Sequence, residues 1–201
     1  LEACASWEIP RLYIAIPPGM MKSLTVGVFF AAWLWTRAPS RRMIATSYAE
    51  RLTSRDSQRT LTLLTSSWYR ELWGANWEIT RSALSKIENS ETGFRESMPF
   101  GSLTGSRGDF VLIDDPQSVD EAGSLVQRER IQRIFLEAVP SRVNDLQNSA
   151  IIVIQQRLNM EDVIGVAESR NLGYEGLVLP MEFEAENRCR TSIGWTDPRK
   201  V

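Results

Sequence analysis

The chain has 201 residues, which is long enough for one large α/β domain that buries roughly 70% of its unfolded surface. Hydrophobic residues make up 43% of it and the formal net charge is −2, so a domain-wide basic face for nucleic acid is excluded. Histidine is absent, which excludes Ser-His-Asp and Cys-His catalysis, and the two cysteines lie near opposite ends. No apolar run is long enough to span a bilayer, so we expect a soluble, non-secreted protein.

Predicted strands and helices alternate along the chain. In chain order we predict a strand over 12–16, a helix over 23–35, a strand over 43–46, a helix over 49–64, an aromatic packing segment over 67–77, a hairpin of 86–89 with 94–98, a strand over 110–113, a helix over 124–136, a strand over 150–154, a helix over 160–169 and a strand over 175–179. Ser124 is the predicted N-cap of its helix. For the helix over 49–64 we expect one apolar face that includes Leu52, Leu61 and Leu64. The alternation predicts an α/β fold, with a mainly parallel sheet covered by helices on both faces.

The first chemical signal is the turn between the first strand and the first helix. A Pro/Gly turn delivers Lys22 and Ser23 to the start of the helix, where unpaired N–H groups and the helix dipole favour an anion. A lysine there can reach the β- and γ-phosphates of a nucleotide, and the hydroxyl can hold Mg²⁺. Against the G-x-x-x-x-G-K-[ST] pattern, however, Ile16 and Met21 replace both glycines. The segment alone is as compatible with an ordinary strand-turn-helix as with a deviant P-loop.

The second signal is the pair Asp114 and Asp115, which ends the apolar strand over 110–113. A P-loop ATPase needs one carboxylate near Mg²⁺ and a second that polarises the attacking water. An Asp-Asp-Pro turn that merely ends a strand is the simpler interpretation of this pair by itself. Together with the upstream Lys-Ser turn, the catalytic interpretation is favoured.

Two further segments carry groups suited to a phosphate. The strand over 150–154 is followed by Gln155, Gln156 and Arg157, whose amides and guanidinium could sense a γ-phosphate or could simply be surface groups. Arg107 lies between glycines in the loop before the Asp-Asp strand. It could cap its own domain, or enter the nucleotide site of a neighbour as an arginine finger.

Six short motifs in a fixed order closely resemble the large terminase subunit of tailed bacteriophages. The resemblance extends over residues 9–199 and rests on PPGMMKSL, ATSYA, LTGSRGD, IDDP, QQRLNMED and LPMEFE. It implies a P-loop NTPase of the RecA-like, additional-strand class, and a Mg²⁺-dependent ATPase that powers translocation of double-stranded viral DNA into a procapsid. Residues 1–201 would form the motor domain, without the family's C-terminal nuclease domain.

The resemblance also implies partners and a location. The partners would be double-stranded DNA, the portal protein, the small terminase subunit and further copies of the chain in a ring, with no membrane. The location would be the host cytoplasm and, transiently, the procapsid portal. Two alternatives stay open: another RecA-like translocase or helicase, and a nucleotide-binding assembly module with little turnover.

Site residues follow from the resemblance by matching motifs. Asp115, Arg107 and Arg157 would be catalytic, with Arg107 acting on a neighbouring subunit, and Ser23 and Asp114 would hold Mg²⁺. The ATP contacts would be Pro18, Gly19, Met20, Met21, Lys22, Ser23, Leu24 and Gln156.

The sequence departs from the family pattern at three positions. Met21 replaces the glycine usual before the lysine, Gly19 stands where many members have an arginine, and Asn159 stands where histidine is common. None of them removes a group that hydrolysis requires, because backbone amides bind the phosphates.

Overall fold

The computed structural model describes residues 1–200. Eight strands form a single sheet: β1 Arg11–Ala15, β2 Arg42–Ser47, β3 Ile79–Ala83, β4 Lys86–Asn89, β5 Phe94–Pro99, β6 Phe110–Asp114, β7 Ala150–Gln155 and β8 Glu175–Val178. The α-helices are α1 Glu2–Ala5, α2 Phe30–Arg37, α3 Glu50–Thr65, α4 Ser67–Trp73, α5 Val119–Gly123, α6 Leu125–Arg133 and α7 Val163–Ser169. Within residues 1–200, no helix is long and apolar enough to cross a membrane.

The strand order across the sheet is β3-β4-β5-β2-β6-β7-β1-β8. From β5 to β8 every neighbouring pair is parallel, whereas β3, β4 and β5 form an antiparallel edge. Strand β7 therefore separates β1 from β6. Because parallel strands share one direction, the carboxyl ends of β1, β6, β7 and β2 meet at the same edge, where α/β proteins bind their ligands.

Helices cover both faces of the central strands. Side chains of the helix after β1, such as Phe30 and Leu34, pack on Leu112 and Ile152 of the sheet. The opposite face carries a second buried cluster, to which α6 and α7 contribute. Coverage on both sides explains why β6 and β7 are nearly continuous apolar runs rather than alternating ones.

Most predicted elements are present, and the differences have local causes. The hairpin strand β3 was not predicted, because its exposed Thr80, Arg81 and Ser82 give no apolar alternation. Helix α5 was also not predicted, although Ser118 and Glu121 form a capping box at its start. Helix α7 begins after Asp162, later than predicted, because the Asp162 carboxylate accepts the Gly165 N–H at 2.9 Å.

The face that α3 buries differs from the prediction. Leu64 is buried as expected, but the other buried positions of the helix are polar: Thr53, Asp56, Ser57 and Thr60. They follow the helical spacing, so the helix is amphipathic in geometry with a polar stripe turned inward. This stripe packs against β5, a strand that itself carries a buried arginine, Arg95.

The aromatic segment packs against the protein core in part, because Tyr69 and Trp77 are buried as predicted whereas Trp68 is exposed. Tyr69 and Trp77 are buried with Trp35, and the ring centroids of Trp35 and Trp77 are 5.2 Å apart in an edge-on arrangement. Ser66 is the N-cap of helix α4, and its hydroxyl accepts the Tyr69 N–H at 3.3 Å. The aromatic side chains thus hold α4 against the helix after β1.

Candidate nucleotide-binding site

The loop after β1 is shaped by two left-handed residues. Gly19 has a φ of 81° and Met21 a φ of 55°, and the helix begins directly afterwards at Lys22. Glycine adopts such angles freely, whereas for a side-chain-bearing residue they cost about 1–2 kcal/mol. Met21 therefore keeps the backbone conformation in which the P-loop pattern places glycine, at an energetic cost.

The first turns of the helix after the loop have an unusual hydrogen-bonding pattern. Leu24–Phe29 is π-helical, and α2 continues the same helix to Arg37. The Thr25 N–H donates to the Met21 carbonyl at 2.9 Å, which leaves the N–H groups of the preceding residues directed toward the loop. A helix N-terminus of this kind attracts anions, and π-helical turns recur at functional sites.

Lys22 and Asp115 form an ion pair across the site. The Lys22 Nζ lies 3.1 Å from Asp115 Oδ1, and the same oxygen accepts the Gln156 N–H at 3.1 Å. The Asp115 N–H donates to Ile154 at 2.8 Å, and its carbonyl accepts the Tyr48 N–H at 3.0 Å. These bonds fix Asp115 in a left-handed conformation with a φ of 43°. The structure thus brings together the ends of β1, β2, β6 and β7.

Asp114 lies beside Ser23, next to the loop. Burial raises the pKa of Asp114 to about 6, and the Ser23 hydroxyl and the Lys22 ammonium oppose this rise. A hydroxyl beside a carboxylate is a donor set that fits Mg²⁺, which takes few protein oxygens and completes its shell with water and phosphate. No group of three or more His, Cys, Asp or Glu side chains clusters within residues 1–200, so substrate oxygens would have to complete such a site.

Arg157 is held away from the ion pair by two acidic residues. Its Nε donates to Asp162 at 3.1 Å and its Nη1 to Glu168 at 3.1 Å, which ties the side chain to α7. Arg157 also lines a cavity of about 300 Å³ beside the loop residues Pro17 and Pro18. The structure therefore places Arg157 next to the loop after β1, with its guanidinium bonded to the α7 region.

Arg107 lies at the opposite edge of the sheet. The loop that carries it is fixed at the amino end of β6, where Gly108 N–H donates to Arg142 and Asp109 N–H donates to Arg42. Strand β6 then runs about 13 Å before it reaches Asp114. Arg107 itself is exposed. The acid nearest to it in the sequence, Asp109, accepts hydrogen bonds from the Arg42 N–H at 2.9 Å and from Asn144 at 3.0 Å.

Gln155, whose amide could from the sequence be a γ-phosphate sensor or a surface group, is buried. It is the last residue of β7, only 2% exposed, and neither polar atom of its amide has a partner within the described residues. The neighbouring Gln156 has an exposed side chain and contributes its backbone N–H instead. The sequence signal for a buried polar group was a single glutamine at the end of an otherwise apolar central strand.

The strand order and the site define the class of fold: a P-loop, RecA-like α/β domain with an additional strand between the phosphate-loop strand and the Asp-Asp strand. The predicted fold class is confirmed. The sequence matches no protein-family model and no curated protein. Among solved structures, the fold is similar to an Arg→Ala variant of the ATPase domain of the large terminase of Thermus phage P74-26, with a TM-score of 0.56 and 13% identity. The match covers 76% of this chain and 63% of that one, and at this identity it establishes the fold.

Proposed function

We propose that this chain is a Mg²⁺-dependent ATPase motor domain that powers translocation of double-stranded viral DNA into a procapsid. The observation that carries the proposal is the Lys22–Asp115 ion pair at 3.1 Å, with Ser23 and Asp114 side by side next to it. The ion pair brings the loop after β1 next to the end of β6. Phosphoryl transfer requires this closeness, because the phosphate-binding group and the catalytic carboxylate act on the same phosphate. The similarity to a terminase ATPase domain supports the same conclusion at the level of fold.

The proposed mechanism starts with an exchange of partners at Lys22. When nucleotide phosphates enter the loop, the ammonium moves from Asp115 to the β- and γ-phosphates, whose charge it offsets. Asp115 is then free to accept a hydrogen bond from a water molecule and orient it in line with the γ-phosphorus. Ser23 and Asp114 would hold Mg²⁺, which would supply positive charge to offset that of the phosphates.

The end of β7 is the proposed route from hydrolysis to movement. The Gln156 N–H contacts Asp115 at 3.1 Å, and the next residue, Arg157, is bonded to Asp162 and Glu168 of the α7 region. Gln155, with its unpartnered buried amide, lies between the two nucleotide-binding strands. A change at Asp115 on loss of the γ-phosphate would thus be passed to α7 through one short segment.

The proposed partners are double-stranded DNA, the portal protein, the small terminase subunit and other copies of the chain in a ring. The site of action would be the host cytoplasm and the procapsid portal. A formal net charge of −2 predicts that one copy binds DNA weakly, because it makes few phosphate contacts.

The direct test measures phosphate release with ATP and Mg²⁺, and DNA binding over a series of salt concentrations. We expect weak Mg²⁺-dependent turnover by the isolated chain and weak DNA affinity that falls steeply as salt rises. Nucleotide binding without turnover, under conditions where rings form, would instead favour an assembly module. Tight, salt-insensitive DNA binding by the monomer would contradict the proposal.

Arg107 is proposed to act on the nucleotide of a neighbouring subunit. Its exposure and its position at the edge opposite Lys22 favour action between subunits over action within one. The test mixes Arg107→Ala with Lys22→Ala subunits in assembled rings. Some mixed interfaces then pair an intact Lys22 with an intact Arg107, so hydrolysis should exceed that of either variant alone. No gain in rings that do form would rule out the role in trans.

A further inference from the structure

Arg95 is a buried arginine outside the residues assigned to the site. It lies in β5 and is 2% exposed, with its Nη1 bonded to the Ser97 hydroxyl. Its Nη2 donates to the Gly27 carbonyl at 3.1 Å, within the π-helical segment that follows the phosphate loop. Burial lowers the pKa of Arg95 to about 10, so the guanidinium stays charged at neutral pH. Arg95 therefore joins the sheet to the helix that carries Lys22 and Ser23.

A small cavity lies between this arginine and the magnesium-side carboxylate. Its volume is about 20 Å³, and Arg95, Ser47 and Asp114 are among its lining residues. Each of the three has a buried polar atom without a partner within residues 1–200: Arg95 Nε, Ser47 Oγ and Asp114 Oδ1. A polar cavity of this size accommodates one water molecule, provided that two to four polar groups bind it. A donor, an acceptor and a hydroxyl are available here.

Asp56 does not take the place of such a water. It is the acid whose charge acts on Arg95, and it is 5% exposed on α3. Its carboxylate is already bound by Arg55 at 2.9 Å and by Arg59 at 3.3 Å. The polar stripe of α3 therefore supplies a compensating charge, while the Nε of Arg95 is left for the cavity.

We infer that one ordered water in this cavity accepts a hydrogen bond from Arg95 Nε and donates one to Asp114 Oδ1. Through this water and the Gly27 carbonyl, Arg95 is a positioning residue that sets the spacing between Asp114 and the helix start that carries Ser23. The inference about Mg²⁺ rests on the proposed function, whereas the water itself does not.

Arginine is suited to this role by its shape. The planar guanidinium presents donors in fixed directions, so one side chain can bond Ser97, Gly27 and a water at once. A lysine keeps the charge but offers a single nitrogen at the end of a flexible stem. Arg95→Lys should therefore retain the fold but no longer fix the spacing between Asp114 and the helix start that carries Ser23.

The first test is a crystal structure of the parent chain at a resolution that shows ordered water. We expect density for one water within hydrogen-bond distance of Arg95 Nε and Asp114 Oδ1. A dry cavity would refute the inference whatever the chain does with nucleotides.

The second test compares nucleotide affinity with Mg²⁺ and with EDTA in Arg95→Lys. Removing a group that positions a metal ligand typically weakens metal affinity by about 10–100-fold. We therefore expect the half-saturating Mg²⁺ concentration to rise about tenfold and the nucleotide affinity in EDTA to stay within about twofold of the parent. Tyr69→Phe is the matched control. It removes a buried hydrogen bond, from the Tyr69 hydroxyl to the Ala32 carbonyl at 2.8 Å, that is also made to the helix after β1 but lies away from the cavity. This control should leave the Mg²⁺ requirement unchanged.

The outcomes separate the two proposals. An unchanged Mg²⁺ requirement in folded Arg95→Lys, or an equal shift in Tyr69→Phe, would refute the positioning role. Should Arg95→Lys fail to fold, Ser47→Ala removes one ligand of the water without touching the guanidinium, and the same rise is expected. A parent chain that binds no nucleotide would refute the proposed function, and the crystallographic result would still decide whether the water is there.

Discussion

The two edges of the central sheet show how differently chain distance and spatial distance behave in a parallel sheet. At the carboxyl edge, Lys22 and Asp115 are 93 positions apart in the chain and 3.1 Å apart in space. At the amino edge, Arg107 shortly precedes the Asp-Asp strand, yet the length of β6 separates it from Asp114. Strand direction decides which groups meet, because parallel strands place all their carboxyl ends together. Groups gathered at one edge can share a reaction, and for Arg107 at the other edge we propose a role in a neighbouring subunit.

The largest expected effect comes from the carboxyl edge. Lys22→Ala should abolish ATP binding, because the loop would lose the ammonium that pairs with Asp115 and that we propose binds the phosphates. Lys86→Ala is a suitable control, since its ammonium pairs with Glu88 and Glu96 in the hairpin. The affinity of both variants for ATP is measured by equilibrium binding. Unchanged affinity in a folded Lys22→Ala variant would remove the basis for the site.

Asp115→Asn should keep MgATP binding and lower turnover by about 10²–10⁴-fold, the usual contribution of a positioned acid or base. The amide retains the shape of the side chain but polarises the attacking water less. Asp114→Asn is the matched comparison, and it should weaken Mg²⁺-dependent binding. Single-turnover phosphate release separates the two effects. If Asp115→Asn hydrolyses ATP at the parent rate, the catalytic carboxylate lies elsewhere.

The carboxyl edge was largely predictable because its signals are local. The central strands are short apolar runs that end in polar residues, and the helix after β1 starts at a Lys-Ser pair. A parallel sheet then brings the strand ends together without further information. The left-handed Met21 and Asp115 were not visible in advance, because such angles are imposed by the loop and by bonds from neighbouring strands.

Some polar groups are buried although the sequence pattern did not indicate it, because their burial depends on pairings between distant segments. Gln155 is notable only once β7 is known to lie between β1 and β6. Arg95 and the polar stripe of α3 each suggest exposed surface, and only their mutual packing explains why both are buried. The sequence did not indicate that two acids of the α7 region bind the Arg157 guanidinium, and the catalytic role of Arg157 stays a prediction.

A smaller effect is expected from the backbone of the loop itself. Met21→Gly should relieve the left-handed strain, while the added flexibility of the unfolded chain offsets part of the gain. Met20→Gly is the control, because Met20 is also exposed but does not have a positive φ. We expect Met21→Gly to be more stable than Met20→Gly by about 1 kcal/mol in denaturant unfolding. Equal stabilities would mean that the loop tolerates Met21 without strain.

The smallest effect is expected at the amino edge, and it tests the comparison most directly. In the isolated chain, Arg107→Ala should leave ATP affinity and basal turnover within about twofold of the parent, because surface changes away from a site rarely matter. Asp109→Ala is the local control: it removes two bonds that anchor the loop and should lower stability by about 1 kcal/mol without altering affinity. Both are measured at concentrations where the protein is monomeric. A tenfold loss of monomer turnover in Arg107→Ala would mean that the arginine reaches its own nucleotide, and the separation of the two edges would then not describe the working state of the protein.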